Sequence, residues 1–186
     1  MAGIILITGG SRSGKSVYGQ TLAEGLAGPH AFIATAVVTD DEMRERILKH
    51  QKARGQSGWH TVEEPLQLAR AVGDARRFDV LLVDCLTFWI NNLMFEAEKQ
   101  GRPLGEEEVE RSCRELLRAC SDRPGTVIFI TNEVGLGIVP ENALARCYRD
   151  LVGRCNQIVA EEADRVIFMT CGIPMYLKGK PNHEPA

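Results

Sequence analysis

Eight residues near the start of the chain, Gly9, Gly10, Ser11, Arg12, Ser13, Gly14, Lys15 and Ser16, fall in the pattern G-x-x-x-x-G-K-S. Glycines at these spacings let a backbone curl until several N–H groups point at one centre. A lysine beside them brings a fixed positive charge, and the following hydroxyl can bind a hard cation. This is chemistry for gripping a polyphosphate, with Lys15 reaching the β- and γ-phosphates and Ser16 ligating Mg²⁺. The pattern is meaningful only between a strand and a helix. The apolar run Ile4-Ile5-Leu6-Ile7-Thr8 precedes it, and Val17 to Ala27 reads as the helix behind it. That helix's N-terminus adds a partial positive charge at the same point. Such a site also needs a carboxylate at the end of a later apolar strand, close to the metal. Val80 to Val83 is continuously apolar, as a buried parallel strand should be, and Asp84 closes it.

A second centre is possible at His50. Asp40 to Arg54 reads as a helix, capped by Asp40 or Asp41, that places Arg46, His50 and Arg54 at successive i, i+4 positions on one face. Two flanking guanidiniums disfavour the protonated imidazole, and a neutral imidazole can act as a nucleophile at neutral pH. Arginines also hold phosphate oxygens well. On these residues alone, a solvated basic helix face is the plainer reading, and a nucleophile beside a triphosphate is the sharper one. The segment Thr131 to Asn142 is long for a strand-to-helix connection, and its Gly135 and Gly137 permit close approach to a ligand. Asn142 can cap the helix that follows.

These residues are positioned by alternating strands and helices. Strands are expected at His30–Ala36, Trp59–Val62, Val80–Asp84, Thr126–Thr131 and, as the last one, Arg165–Thr170. Helices are expected from Pro65 to about Arg77, over Trp89–Lys99 and Glu106–Cys120, and over Ala143–Glu162. Repeated β-α-β units give an α/β fold, a mostly parallel sheet with helices on both faces. Ligands in such a sheet sit at the carboxyl ends of the strands. That brings the glycine loop, the Ala34-Thr35-Ala36 end, Asp84, Thr131-Asn132-Glu133 and Cys171-Gly172 into one region.

Composition narrows the class. The 186 residues, 44% hydrophobic and 25% charged, fit one domain spanning 1–186 with a sizeable core. A net charge of −3 without a Lys/Arg block gives no nucleic-acid footprint. The apolar runs are too short to span a membrane, and no basic leader region opens the chain. The six cysteines form no C-x-x-C pair and have no zinc-ligand spacing, so they are expected to be small buried apolar residues in a reducing cytoplasm.

Taken together, these stretches resemble the bifunctional adenosylcobinamide kinase / adenosylcobinamide-phosphate guanylyltransferase family. The likeness is carried by Thr8 to Ser16, Ile33-Ala34-Thr35-Ala36, Asp40-Asp41-Glu42-Met43 with Arg46, Ile47 and His50, Trp59 through Glu63-Glu64-Pro65, and the loop Thr131 to Asn142. Gly153-Arg154, Asn156-Gln157 and Ala163-Asp164 continue it, so it spans almost the whole chain. The resemblance implies a RecA-like P-loop NTPase fold and two activities. One is phosphorylation of the aminopropanol hydroxyl of adenosylcobinamide by ATP or GTP. The other is transfer of GMP from GTP to adenosylcobinamide phosphate through a guanylylated histidine, giving adenosylcobinamide-GDP. By the same resemblance, His50 is the guanylylated residue. Nucleotide-binding positions are Gly9, Gly10, Ser11, Arg12, Ser13, Gly14, Lys15, Ser16, Ala34, Thr35, Ala36, Gln51, Lys52, Ala53, Arg54, Glu63 and Asp84. Ser16 and Asp84 are expected to hold Mg²⁺ in a cytoplasmic protein, and the resemblance implies a homo-oligomer, a trimer in the family. Two rival readings are a P-loop small-molecule kinase without the guanylyltransferase step, and a RecA-like ATPase acting on nucleic acid, against which the acidic composition speaks.

Overall fold

The computed structural model describes residues 2–37 and 58–180. The helix expected over Asp40–Arg54 lies outside the described residues, and with it His50, Gln51, Lys52, Ala53 and Arg54. The described elements, in chain order, are β1 (Gly3–Gly9), α1 (Lys15–Glu24), β2 (His30–Ala34), β3 (His60–Glu63), α2 (Leu68–Asp74) and β4 (Val80–Asp84). They continue with α3 (Leu86–Lys99), α4 (Glu106–Ser121), β5 (Thr126–Ile130), α5 (Ala143–Glu162), β6 (Arg165–Thr170) and β7 (Ile173–Lys178).

The strands form one seven-stranded sheet in the order β3-β2-β4-β5-β1-β6-β7. All neighbours are parallel except β6 and β7. β1, β4 and β5 lie at the centre with their apolar side chains buried on both faces, which is why they read as continuous apolar runs rather than alternating ones. On one face, Ile5, Ile7, Leu82, Ile128 and Ile130 pack with Tyr18, Leu22 and Ala23 of α1. On the other, Ile4, Leu6, Ile33, Leu81, Val83, Val127 and Phe129 pack under α2, α3, α4 and α5. α1 comes down close to the sheet because Gly19 has no side chain: a Cβ there would lie 2.7 Å from Ile130 Cδ1.

The structure corrects the sequence reading in several places. β6 is not the last strand. Cys171 and Gly172 both take positive φ (51° and 78°), reverse the chain, and send Ile173–Lys178 back antiparallel as an edge strand. Its pattern is inverted, with Ile173, Met175 and Leu177 facing out, and Pro174 is tolerated because an edge strand can spare an N–H. Pro65 does not open a helix: Glu64 Oε1 accepts from the Leu66 and Gln67 amides at 3.0 and 2.8 Å, and the turn this makes delays α2 to Leu68. α3 starts at Leu86 rather than Trp89, directly after β4. Of the cysteines, 85, 113, 120 and 155 are buried as expected, Cys147 is half-buried, and Cys171 is exposed because it stands in the β6–β7 turn; all six are free thiols. Among the described residues no helix is long and apolar enough to cross a membrane.

Candidate nucleotide site

The loop between β1 and α1 is shaped by two glycines. Gly9 has φ 145°, and a Cβ on it would lie 2.3 Å from the Met169 carbonyl oxygen of β6. Gly14, at φ 96°, turns the chain into α1 and approaches Gly172. No side chain caps α1 and its first turn holds no acid. The amides at its start are therefore left for an outside acceptor, and the dipole there favours an anion. Lys15 is buried, and its Nζ donates to the Gly10 carbonyl at 2.6 Å and to Ser13 Oγ at 3.4 Å. Burial lowers its pKa below the usual lysine value, while the negative charge of Asp84 and the neighbouring Cys85 pull it back up.

Lys15 and Ser16 share a cleft of about 420 Å³ with Asp84, Cys85, Phe88, Ile130 and Asn132. The glycine loop and Asp84 thus meet, as the sequence required, although their strands are not neighbours: β5 runs between β1 and β4. The five expected segments converge on this end of the sheet. Glu133 N donates to Gly9 O at 3.0 Å, and Gly172 N to Ser13 O at 3.1 Å. At β2, the fully buried Thr35 hydroxyl donates to Cys85 O at 2.7 Å and accepts from Cys85 N at 2.8 Å. Asn92 Nδ2 secures the same strand end by donating to Thr35 O at 2.7 Å and Pro65 O at 3.1 Å. Thr35 therefore acts through the backbone next to Asp84, its only proton being committed to the Cys85 carbonyl. Ala34, Ala36 and Glu63 stand at the carboxyl ends of β2 and β3, on the far side of Asp84 from the loop, with Glu63 in register with Ala34.

Several residues at this end were not singled out from sequence. Cys85 lines the cleft 2.8 Å from Thr87 Oγ1, and burial together with Asp84 pushes its thiol up to about 12, so it is no nucleophile at neutral pH. Thr87 Oγ1 accepts from Asn132 Nδ2 at 3.1 Å, and the Thr87 carbonyl accepts from Tyr148 OH at 3.3 Å. Asn156 of α5 accepts from Thr131 Oγ1 at 2.7 Å and donates to Asn132 O at 3.1 Å. A polar side chain amid apolar helix residues is the signal that could have found Thr87; Asn156 belongs to a stretch that carries the family likeness, and its bonds to Thr131 and Asn132 give it a place. Asn142 caps α5 as expected, its Oδ1 accepting from Ala145 N at 3.1 Å, and Arg146 holds the preceding loop by donating to the Pro140 and Glu141 carbonyls.

Among the described residues no cluster of three or more His, Cys, Asp and Glu could hold a metal. A Mg²⁺ that keeps water and shares phosphate oxygens needs only one or two protein ligands, and the Ser16 hydroxyl and Asp84 carboxylate on one cleft fit that demand.

Residues 5–177 match the family described as cobinamide kinase / cobinamide phosphate guanyltransferase. The chain is 44% identical over 177 residues to the bifunctional adenosylcobalamin biosynthesis protein CobP of Pseudomonas aeruginosa, covering 95% of this chain and 98% of that one. It is 37% identical to the CobU protein of the same description from Escherichia coli and 38% to that of Salmonella typhimurium, in each case over 94% of this chain and 99% of the relative. Among solved structures, an ATPase from the type III secretion system of pathogenic bacteria superposes with a TM-score of 0.58 at 16% identity. The match covers 90% of this chain and 51% of that one, about half its length, and shows a shared RecA-like P-loop fold.

Proposed function

The chain belongs to the cobinamide kinase / cobinamide phosphate guanyltransferase family, and from that premise we propose how its residues divide the work. It is a bifunctional enzyme of adenosylcobalamin biosynthesis that phosphorylates adenosylcobinamide and then transfers GMP from GTP to the resulting phosphate. One observation carries the assignment of the site: the buried Lys15, the uncapped start of α1, Ser16 and Asp84 converge on a single cleft.

In this reading the loop amides of Gly9 to Ser16 and the Lys15 ammonium hold the polyphosphate of ATP or GTP. Ser16 and Asp84 hold Mg²⁺, which when bound offsets charge on the phosphate oxygens. The nucleotide extends along the carboxyl edge of the sheet past Asp84 towards Ala34, Thr35, Ala36 and Glu63, with Gln51, Lys52, Ala53 and Arg54 completing its contacts. In the kinase step the acceptor hydroxyl attacks the γ-phosphorus, the bond to the β-phosphate oxygen breaks, and the nucleoside diphosphate leaves. In the second step a neutral His50 nitrogen attacks the α-phosphorus of GTP and pyrophosphate leaves. An oxygen of adenosylcobinamide phosphate then attacks the phosphoramidate, breaking the P–N bond and freeing the imidazole. Lys15 and the loop amides stabilise charge on the departing pyrophosphate. The protein works in the cytoplasm as a homo-oligomer, a trimer by family resemblance, and the outward-facing Ile173, Met175 and Leu177 of edge strand β7 supply apolar surface for such an assembly.

The test is self-labelling with GTP radioactive at the α-phosphate, followed by denaturing electrophoresis of wild type and His50→Ala. An acid-labile, base-stable label on wild type alone, with kinase turnover kept by the variant, is expected. A folded, GTP-binding wild type that takes no label would return His50 to a structural role and leave the kinase step alone.

A further inference from the structure

The cleft accommodates the donor of both reactions but is too polar for the acceptor, whose corrin macrocycle has apolar faces and an amide-bearing rim. A second cavity, of about 650 Å³, opens on the same side of the sheet. Its walls are Asn91, Met94 and Phe95 of α3, the 101–104 turn, and Asn142, Leu144 and Tyr148 around the start of α5. The turn stands at the carboxyl end because α4 runs from it back to Ser121 before β5 begins at Thr126.

Cavity and cleft are joined by one helix face. Phe88 lines the cleft, and Asn91 and Phe95 follow it at three and seven residues along α3, the spacing of a shared face. Seven helical residues cover about 10 Å. They are also joined by hydrogen bonds: Tyr148 of the cavity donates to Thr87, which bonds Cys85 and Asn132 of the cleft. Much of the cavity lining is apolar, with Phe95 56% and Leu144 58% exposed. Its polar groups are Asn91, Glu98, Arg102, Asn142 and Tyr148; Arg102 is paired with Glu108, and the Asn142 amide nitrogen remains after its oxygen caps α5. A concave apolar surface with a few convergent polar groups is the form of a small-molecule site rather than of a flat subunit contact.

We propose that this cavity holds the macrocycle of the acceptor corrinoid. Its apolar face lies on Met94, Phe95 and Leu144, its peripheral amides meet Asn91 and Asn142, and its aminopropanol arm reaches along α3 to the cleft. The proposal rests on the kinase and guanylyltransferase reading above.

Phe95→Ala and Leu144→Asp, both on exposed side chains, test it. The readouts are KM for cobinamide in the kinase reaction, cobinamide uptake by equilibrium dialysis, GTP self-labelling, and sedimentation. The expected result is a rise in the cobinamide KM of about tenfold or more in each variant, with matching loss of uptake and with self-labelling and sedimentation unchanged. An unchanged cobinamide KM overturns the proposal; if the variants then also sediment as smaller species, the cavity is a contact between copies of the chain. A wild-type protein that self-labels but never phosphorylates cobinamide would overturn the acceptor reading itself, and this proposal with it.

Discussion

The Thr35 hydroxyl bonds both backbone polar groups of Cys85, giving its proton to the carbonyl and taking one from the amide. One side chain just past the end of β2 thus fixes the peptide that follows Asp84 at the end of β4. Thr35→Val keeps the shape and removes both bonds, leaving the buried Cys85 amide without a partner, while the Cys85 carbonyl keeps its bond from Trp89 N at 3.2 Å. It should lose about 1–3 kcal/mol of stability and weaken Mg²⁺-dependent turnover more than nucleotide binding. Denaturant titration and a Mg²⁺ saturation curve check this; wild-type values in both would show that the clamp does nothing for Asp84.

Lys15→Ala should lower kcat of both reactions by about 10²–10³, because one ammonium serves one polyphosphate site. Asp84→Asn should instead raise the Mg²⁺ concentration needed for half-maximal rate. Steady-state assays of each step separate the two, and a Lys15 variant impaired in only one reaction would argue for two separate donor sites.

Gly9→Ala forces a side chain into a left-handed φ and onto the Met169 carbonyl. A cost of at least about 2 kcal/mol is expected, from backbone strain alone. In a domain of this size that is a fall in Tm of roughly 4–8 °C, readable by calorimetry. An unshifted melting temperature would mean that the loop and β6 can part without penalty.

Because burial lowers the Lys15 pKa, the unfolded state binds more protons than the folded state between the folded value and 10.5. Stability contributed through this group should therefore rise with pH across that window. Urea denaturation of wild type and Lys15→Met at stepped alkaline pH isolates the effect: the difference between them should move in the wild type's favour as pH rises. A difference moving the other way would place the ammonium in a site that favours its charge.

Asn156→Leu removes the acceptor of Thr131 Oγ1 and the donor to Asn132 O. A loss of about 1–3 kcal/mol is expected, with faster proteolysis of the loop before Asn142. Equal cleavage rates in the two proteins would show that the loop is held elsewhere, by Arg146 above all.

The central strands and the phosphate loop were readable because local chemistry dictates them: unbroken apolar runs make strands buried on both faces, and few settings other than a phosphate loop call for Gly14, Lys15 and Ser16 together. β7 was not, since its outward Ile173, Met175 and Leu177 invert the pattern that marks a half-buried strand. Phe88 was hidden for another reason. Its place at the cleft depends on where α3 leaves β4, a long-range fact that no local window holds; Asn132 was expected at this end of the sheet, and only its bond to Thr87 was not. The opening of α3 at Leu86 was missed likewise, because Cys85 is an unusual residue to precede a helix and offers no side-chain cap.

The strand between β1 and β4 has a consequence for where a cation can sit. Two inter-strand steps separate the phosphate loop from Asp84 at the backbone, roughly 10 Å. Sheet hydrogen bonding sets that interval, and no side-chain substitution can readily alter it. The fold therefore works as a gauge: the side chains of Ser16 and Asp84 reach into one cleft from backbones held a fixed distance apart, so an ion shared by both has its place set by the sheet rather than by either residue alone.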